Sequence, residues 1–191
     1  MATAGQQPIS RLDAVTAYIA LGANLGDAAA ALHLAVKALG ELPFTQVLQT
    51  SSFYKTAPMG TNTGTVASVS TPEPGLAPAP PSPVNDYINA VVQLETRLTA
   101  PALLEHLQLL EQDAGRERPY HNAPRTLDLD LLLYGSASVD SLHLTVPHPR
   151  MWQRAFVLVP LAEIAPALVM KAQLDAVANQ AIEQLHSTAH Y

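Results

Sequence analysis

Residues 123–134 read A-P-R-T-L-D-L-D-L-L-L-Y, and the prediction of the fold begins from these residues. Side chains alternate between the two faces of a β-strand, so Asp128 and Asp130 share one face, with their Cα atoms about 6.5 Å apart. The opposite face carries four leucines, Leu127, Leu129, Leu131 and Leu133. An apolar face of this kind packs on a core and fixes the register, which holds the two carboxylates outward.

The two carboxylates and three nearby arginines favour a site for a metal and a polyanion. Neighbouring carboxylates repel each other unless a cation or a shared proton offsets their charge. Mg²⁺ takes oxygen ligands of this kind, often from one or two carboxylates together with substrate phosphates. Arg116, Arg118 and Arg125 precede the acids in a chain with only 10 Lys and Arg residues, and guanidinium groups suit phosphate oxygens. A solvated, purely structural pair of acids is the alternative interpretation.

The composition limits the class of protein. A chain of 191 residues, 48% of them hydrophobic, suits one domain with a sizeable core. The net charge of −6 argues against a nucleic-acid partner, which normally binds a basic surface. The absence of cysteine excludes disulfides and thiolate chemistry. Residues 1–15 lack the apolar segment of a secretory signal, and no apolar run is long enough to span a bilayer, so we expect a cytoplasmic protein.

The order of predicted elements is strand, helix, strand, strand, helix, strand. The strands fall at residues 16–21, 45–54, 85–96 and 123–134, and the helices begin at Asp27 and Thr99 and end near Gly40 and Gly115. This order is typical of the α+β, ferredoxin-like βαββαβ core, a four-stranded antiparallel sheet with both helices on one face. In that arrangement the first and third strands are central and the last strand lies at an edge. The uncovered face can then hold a site.

The third predicted strand places an aromatic residue and an amide side by side. Tyr87 and Asn89 alternate with apolar side chains that face the core, so they point to the opposite face of the strand. The apolar side chains are Ile88, Ala90, Val92 and Leu94. We therefore expect Tyr87 and Asn89 on the same open surface as Asp128 and Asp130. In this position the tyrosine can stack on a flat heterocycle and the asparagine can hydrogen-bond its edge. The alternative interpretation, which is the more common case, is a pair of side chains that are merely exposed to solvent.

Several further segments complete the predicted organisation. We expect one domain over residues 1–191, with a flexible N-terminus at residues 1–13 and a proline-rich loop insert at residues 60–84 that extends a lid. Beyond residue 134 the sequence predicts a short strand at residues 143–146 and a Pro-flanked His148. A core segment follows at residues 156–164, turning helical near Pro160, and a terminal helix spans residues 172–186.

Five motifs in order along the chain carry a resemblance to a known family. They are Y-I-A-L-G-A-N-L-G-D at 18–27, S-S-F-Y-K-T-A-P-M-G at 51–60, D-Y-I-N-A-V-V at 86–92, H-N-A-P-R-T-L-D-L-D-L-L at 121–132 and L-T-V-P-H-P-R-M-W-Q-R-A-F-V-L at 144–158. With these motifs the chain resembles the 6-hydroxymethyl-7,8-dihydropterin pyrophosphokinases, enzymes of folate biosynthesis. The resemblance implies transfer of pyrophosphate from ATP to the pterin hydroxymethyl group, which gives AMP and the pterin diphosphate.

The resemblance also implies a role for each matching residue. Asp128 and Asp130 would bind two Mg²⁺ ions, and Arg116 and Arg125 would stabilise charge on the transferring group. The implied ATP-binding residues are Gln108, Glu111, Arg118, Leu131, Thr145, His148 and Arg154. The implied pterin-binding residues are Thr56, Ala57, Met59, Tyr87, Asn89 and Phe156, with Tyr87 and Phe156 on either side of the ring. ATP and the pterin would be the small-molecule partners of a monomer, with neither nucleic acid nor membrane.

The chain departs from the family pattern at a few positions. Ala57 replaces a frequent second proline, Asn122 a frequent tryptophan and His143 a frequent arginine, and the loop after Gly60 is longer than in compact members. Two alternatives from other classes remain open at this point. A two-metal phosphohydrolase would use the same aspartates with water as the acceptor, and a non-catalytic ligand-binding module would not need the arginine and aspartate cluster.

Overall fold

The structure is a computed structural model, and it describes residues 13–58, 85–115 and 126–185. Two predicted segments lie outside these residues. They are the flexible N-terminus of residues 1–13, apart from Asp13, and the proline-rich insert of residues 60–84.

The described chain forms eight strands and four α-helices. In order they are β1 (Val15–Ala23), α1 (Ala28–Gly40), β2 (Thr45–Thr50), β3 (Phe53–Thr56), β4 (Tyr87–Thr96), α2 (Ala100–Asp113), β5 (Asp128–Tyr134), β6 (Val139–Asp140), β7 (Thr145–Val146), α3 (Ala155–Ile164), α4 (Lys171–Val177) and β8 (Glu183–Leu185). Short 3₁₀ helices lie at Met151–Gln153 and Pro166–Leu168. The predicted helix starts are confirmed, because the side chains of Asp27 and Thr99 accept hydrogen bonds from the first turns of α1 and α2.

The main sheet is antiparallel and has six strands in the described part of the chain. Its order is β5-β1-β4-β3-β8, and β2 also pairs with β4. The α+β class is confirmed, with β1 and β4 central and β5 at an edge. The expected four-stranded sheet is wrong in detail, because the predicted strand of residues 45–54 is divided into β2 and β3 and because β8 joins the outer edge of β3.

Two serines account for the division between β2 and β3. The backbone N–H of Ser51 donates to the carbonyl of Val91, and the Val91 N–H donates to the Ser51 hydroxyl, each over 2.9 Å. At Ser52 the backbone N–H turns out of the ladder and donates to the carboxylate of Glu163. The two strands therefore pair with different halves of β4.

Hydrophobic cores lie on both faces of the sheet. One is built by α1 and α2 against the apolar side chains of β1, β4 and β5, as expected. The other is built by α3 against Ala20, Val91 and Leu132. The face expected to be open is therefore partly covered by α3.

A β-bulge in β5 changes the facing of its last residues. Tyr18 pairs with Leu133, whereas the next residue, Ile19, pairs with Leu131, so Leu132 is an extra residue in β5. Leu129 and Leu131 pack in the core of α1 and α2, as predicted. Leu133 packs with the core of α3 instead, so its predicted place on the same face as the other leucines is wrong.

The C-terminal predictions need two corrections. The segment from Ala155 is helical from its first residue, with Pro160 inside α3, and does not become helical only near that proline. The predicted terminal helix of residues 172–186 is instead the short α4 followed by β8. Pairing with the edge of β3 outweighs the helical spacing of the apolar residues there.

None of the helices in the described residues is long and apolar enough to cross a membrane.

The turn after β5 gives a test of close packing. Gly135 has φ +52°, and a Cβ there would lie 2.9 Å from Cγ1 of Val15. Gly26 has a similar φ of +59°, but a Cβ there would meet no described atom within 4 Å. Both Gly→Ala variants incur the strain of positive φ, about 1–2 kcal/mol. We expect Gly135→Ala to lower the free energy of unfolding, measured with urea, by about 1 kcal/mol more than Gly26→Ala does. Equal losses in the two variants would show that the contact with Val15 costs nothing.

Candidate functional site

The pairing register of β1 aligns the side chains of the site. Gly22 pairs with Asn89 of β4 on one side and with Asp128 of β5 on the other. Ala20 pairs with Asp130 of β5. Residues directly opposite each other on antiparallel strands point to the same face. Asn89, Asp128 and Asp130 therefore share the face that α3 partly covers, as the sequence alternation predicted.

Gly22 leaves a gap between the amide and the acid. It lies within β1, between Asn89 and Asp128, which are two strand spacings apart, about 10 Å. A Cβ at Gly22 would lie 3.4 Å from Oδ1 of Asn89. The first strand was predicted to end at residue 21, but β1 extends through Ala23, and Gly22 therefore lies within the strand.

Asp130 lies close to two groups of the segment after β7. Its Oδ2 is 3.9 Å from Nε2 of His148 and 3.7 Å from Nη1 of Arg154. The backbone N–H of His148 donates to the carbonyl of the bulge residue Leu132 over 2.9 Å, which fixes the backbone of His148 beside β5.

The protonation state of His148 follows from its surroundings. Burial lowers the pKa of His148 below its ordinary value, and the charge of Asp130 opposes this shift while that of Arg154 adds to it. The backbone N–H of Arg150 donates to Nδ1 of His148 over 3.2 Å. His148 is therefore neutral near pH 7 and presents Nε2–H as a donor toward Asp130.

Asp128 and Asp130 suit a cation that is also coordinated by oxygens of a substrate or of water. Among the described residues no group of three or more His, Cys, Asp or Glu side chains could enclose a metal ion. Asp128 and Asp130 are both half-buried on one face. Two carboxylates with room for phosphate and water oxygens match the way Mg²⁺ is bound with phosphate substrates.

A pocket of about 290 Å³ opens beside Asp130 at the outer edge of β5. Its walls come from α2, β5, the β6–β7 hairpin and the turn at His148. Three residues predicted to bind ATP line it together with Asp130: Leu131, Thr145 and His148. His143, where the family often has arginine, lines it as well. The structure thus joins the acidic site to a cavity with an apolar wall.

The two predicted residues of α2 lie in different surroundings. Gln108 is exposed. Glu111 is only 2% exposed, and its carboxylate accepts a 2.8 Å hydrogen bond from the N–H of Leu129, between the two aspartates. Glu111 therefore holds the backbone of β5 at the site.

Three of the predicted pterin residues lie together on β3 and β4: Thr56, Tyr87 and Asn89. Asn89 is buried, and its Nδ2 donates to Oγ1 of Thr56 over 2.9 Å. Thr56 pairs with Tyr87 across β3 and β4, and Ala57 follows it at an exposed position. Phe156, in the first turn of α3, lies with its ring 5.4 Å below the guanidinium carbon of Arg154.

Glu163 is a structural residue of the site that sequence reasoning missed. Its carboxylate accepts hydrogen bonds from the N–H and hydroxyl of Ser52, at 3.0 and 2.8 Å, and from the Tyr54 hydroxyl at 2.9 Å. These contacts fix the end of α3 to the start of β3, and hence fix Phe156 relative to Thr56. A glutamate at an exposed helix position gives no local signal of this role.

Four predicted site residues lie outside the described part of the chain: Met59, Arg116, Arg118 and Arg125.

Comparison with known proteins gives a consistent result. The family model of 7,8-dihydro-6-hydroxymethylpterin-pyrophosphokinase matches residues 18–166. The chain is 43% identical to the 2-amino-4-hydroxy-6-hydroxymethyldihydropteridine pyrophosphokinase of Haemophilus influenzae over 82% of its own length and 85% of that protein. It is 38% identical to the Bacillus subtilis protein of the same name, over 78% of the chain and 77% of that protein.

Solved structures support the fold alone. One crystal structure of the Plasmodium falciparum HPPK-DHPS protein superposes with a TM-score of 0.59 at 13% identity, over 87% of this chain. The chain spans 46% of the length of that protein.

The contact between Tyr54 and Glu163 predicts a pH dependence. Burial, the hydrogen bond to Glu163 and its negative charge raise the pKa of Tyr54 to about 12. Because this value exceeds that of an exposed tyrosine, near 10, the stabilisation is complete below pH 10 and is lost as the pH rises through about 12. Glu163→Gln should lower the pKa of Tyr54 while burial keeps it above 10.

The measurement is an ultraviolet titration of the phenolate, taken as the difference from the same protein carrying Tyr54→Phe. Glu183→Gln, which changes an acid on the neighbouring β8, is the matched control and should leave the pKa of Tyr54 unchanged. An unaltered pKa in Glu163→Gln would contradict the assignment.

Proposed function

Because this chain belongs to the 7,8-dihydro-6-hydroxymethylpterin-pyrophosphokinase family, we propose that ATP and the pterin meet on the sheet face that carries Asn89, Asp128 and Asp130. The enzyme transfers pyrophosphate from ATP to 6-hydroxymethyl-7,8-dihydropterin in folate biosynthesis. Family membership therefore favours the transferase over the phosphohydrolase and the binding module. The observation that carries the placement is the row formed by Asn89, Gly22 and Asp128.

The reaction is a direct displacement between two substrates. The hydroxymethyl oxygen of the pterin forms a bond to the β-phosphorus of ATP, and the bond from that phosphorus to the α,β-bridging oxygen breaks. AMP leaves with the bonding electron pair, and the pterin hydroxyl releases its proton. Such a transfer depends on positioning and on stabilisation of phosphate charge, so no covalent intermediate with the protein is required.

Asp128 and Asp130 would bind two Mg²⁺ ions together with the phosphates of ATP. The chemistry that bound Mg²⁺ supplies is neutralisation of phosphate charge and orientation of the reacting oxygens. His148 would donate Nε2–H to a phosphate oxygen, and Arg154 would pair with phosphate beside Asp130, because both groups already lie within 4 Å of that carboxylate.

The nucleotide would extend from the acids into the pocket at the edge of β5. Leu131 and Thr145 would contact it there, supported by their place in the pocket wall. Gln108 would approach it from α2, and Glu111 would act by holding the backbone N–H of Leu129. From the resemblance we assign Arg118 to phosphate binding and Arg116 and Arg125 to the charge on the transferring group.

The pterin would occupy the Asn89 side of the gap. Tyr87 and Phe156 would stack on its two faces. Asn89 and Thr56 would bind its polar edge, supported by the hydrogen bond that already orients them. The backbone at Ala57 and Met59 would complete that edge.

Three broader proposals rest on the sequence. They are that residues 1–191 form a single pyrophosphokinase domain, that the enzyme is a monomer and that it acts in the cytoplasm.

The metal assignment predicts the effect of neutralising either acid. Asp128→Asn and Asp130→Asn should fold normally, because both side chains are only half-buried and the substitutions keep their size. Turnover should fall by roughly three orders of magnitude or more, since bound metal supplies several kcal/mol of transition-state stabilisation. The assay is formation of AMP together with the pterin diphosphate from ATP, Mg²⁺ and the pterin.

Asp175→Asn is the matched control, because Asp175 forms an exposed ion pair with Lys171 on α4. Near-normal turnover in both site variants would reject the metal site, and ADP with phosphate in place of AMP would point to hydrolysis.

The gap at Gly22 gives an independent test of where the two substrates meet. Gly22→Val should lower kcat/KM for the pterin by about a hundredfold, since displacing a reacting group by about 1 Å has an effect of this size. Gly22→Ala, whose Cβ would lie 3.4 Å from Oδ1 of Asn89, should have a smaller effect. Gly40→Ala, which places a Cβ 3.6 Å from Val47 away from the site, is the control. Unimpaired catalysis by Gly22→Val would exclude the gap as the reaction site.

A further inference from the structure

The side-chain amide of Gln180 bridges the two backbone groups on either side of Arg154. Its Oε1 accepts a 2.9 Å hydrogen bond from the N–H of Ala155, and its Nε2 donates a 2.8 Å hydrogen bond to the carbonyl of Gln153. One side chain thus fixes the chain immediately before and after the arginine.

The start of α3 requires a partner of this kind. Arg154 is the N-cap residue of α3, and it makes no side-chain cap hydrogen bond. The first N–H groups of a helix have no partner within the helix, and an arginine side chain has no acceptor to offer them. Gln180 satisfies the N–H of Ala155 and also binds the last carbonyl of the preceding 3₁₀ helix.

Gln180 is itself held firmly. Its backbone N–H donates to the carbonyl of Val177 over 3.0 Å. Val177 ends α4, is 3% exposed and packs in the core that α3 builds. The amide is therefore presented from a packed element, although Gln180 lies beyond residue 166, where the family match ends.

We propose that Gln180 is a positioning residue for Arg154, which makes the C-terminal segment part of the phosphate site. This inference rests on the proposed role of Arg154. The guanidinium group lies 3.7 Å from Asp130 and over the ring of Phe156, so its placement affects the metal side and the pterin side together. Hydrogen bonds to the backbone on both sides of Arg154 fix the direction of its Cα–Cβ bond and so set where the long side chain begins.

The test is a double-mutant cycle with Gln180→Ala and Arg154→Ala, read as kcat/KM for ATP. Loss of the bridge should lower kcat/KM by about five- to tenfold, the equivalent of one to two hydrogen bonds. In the Arg154→Ala background, Gln180→Ala should have no further effect, because the residue it positions is gone. A purely structural role would lower activity in both backgrounds.

Two glutamines of the same segment are matched controls. Gln173 caps the backbone N–H of Met170, and Gln184 donates to the hydroxyl of Ser52. Gln173→Ala and Gln184→Ala should affect the unfolding midpoint about as much as Gln180→Ala and leave kcat/KM for ATP within about twofold.

The outcomes separate the inference from the proposed function. Normal activity of Arg154→Ala would reject the phosphate role of Arg154. Reduced activity of Arg154→Ala, with an equal and independent effect of Gln180→Ala in both backgrounds, would reject the positioning role alone. Full activity of Gln180→Ala would also reject it.

Discussion

The pairing register of β1 with its two neighbours is the constraint on which the site depends. Gly22 sets Asn89 and Asp128 in one row, and Ala20 sets Asp130 on the same face. A slip of one residue in either pairing would move these side chains to the face that α1 and α2 bury. The apolar residues of β1, β4 and β5 fix this register, so the hydrophobic core and the site are specified by the same alternation.

Much of the fold was predictable because its signals are local. The caps at Asp27 and Thr99 and the alternation in β4 and β5 depend on nearby residues alone. The break at Ser51, the bulge at Leu132 and the formation of β8 depend on partners far away in the sequence. Spacing carried no information on them, and so the six-stranded sheet and the facing of Leu133 were missed.

The site divides in the same way. The two aspartates, Tyr87 and Asn89 followed from side-chain chemistry on predicted strands, and the family resemblance extended that set. Gly22, Glu163 and Gln180 act through the absence of a side chain or through hydrogen bonds to distant backbone. Residue type gives no indication of such roles, which become visible only when the elements are packed together.

The late position of β8 and Gln180 in the chain has a consequence for biosynthesis. The polypeptide leaves the ribosome N-terminus first. The last motif of the family resemblance ends at residue 158, so all five motifs emerge before the strand that covers the edge of β3 and before the amide that binds the backbone next to Arg154. An uncovered strand edge readily pairs with other polypeptides. The nascent chain therefore passes through an interval in which its motifs are complete but its sheet still has this uncovered edge.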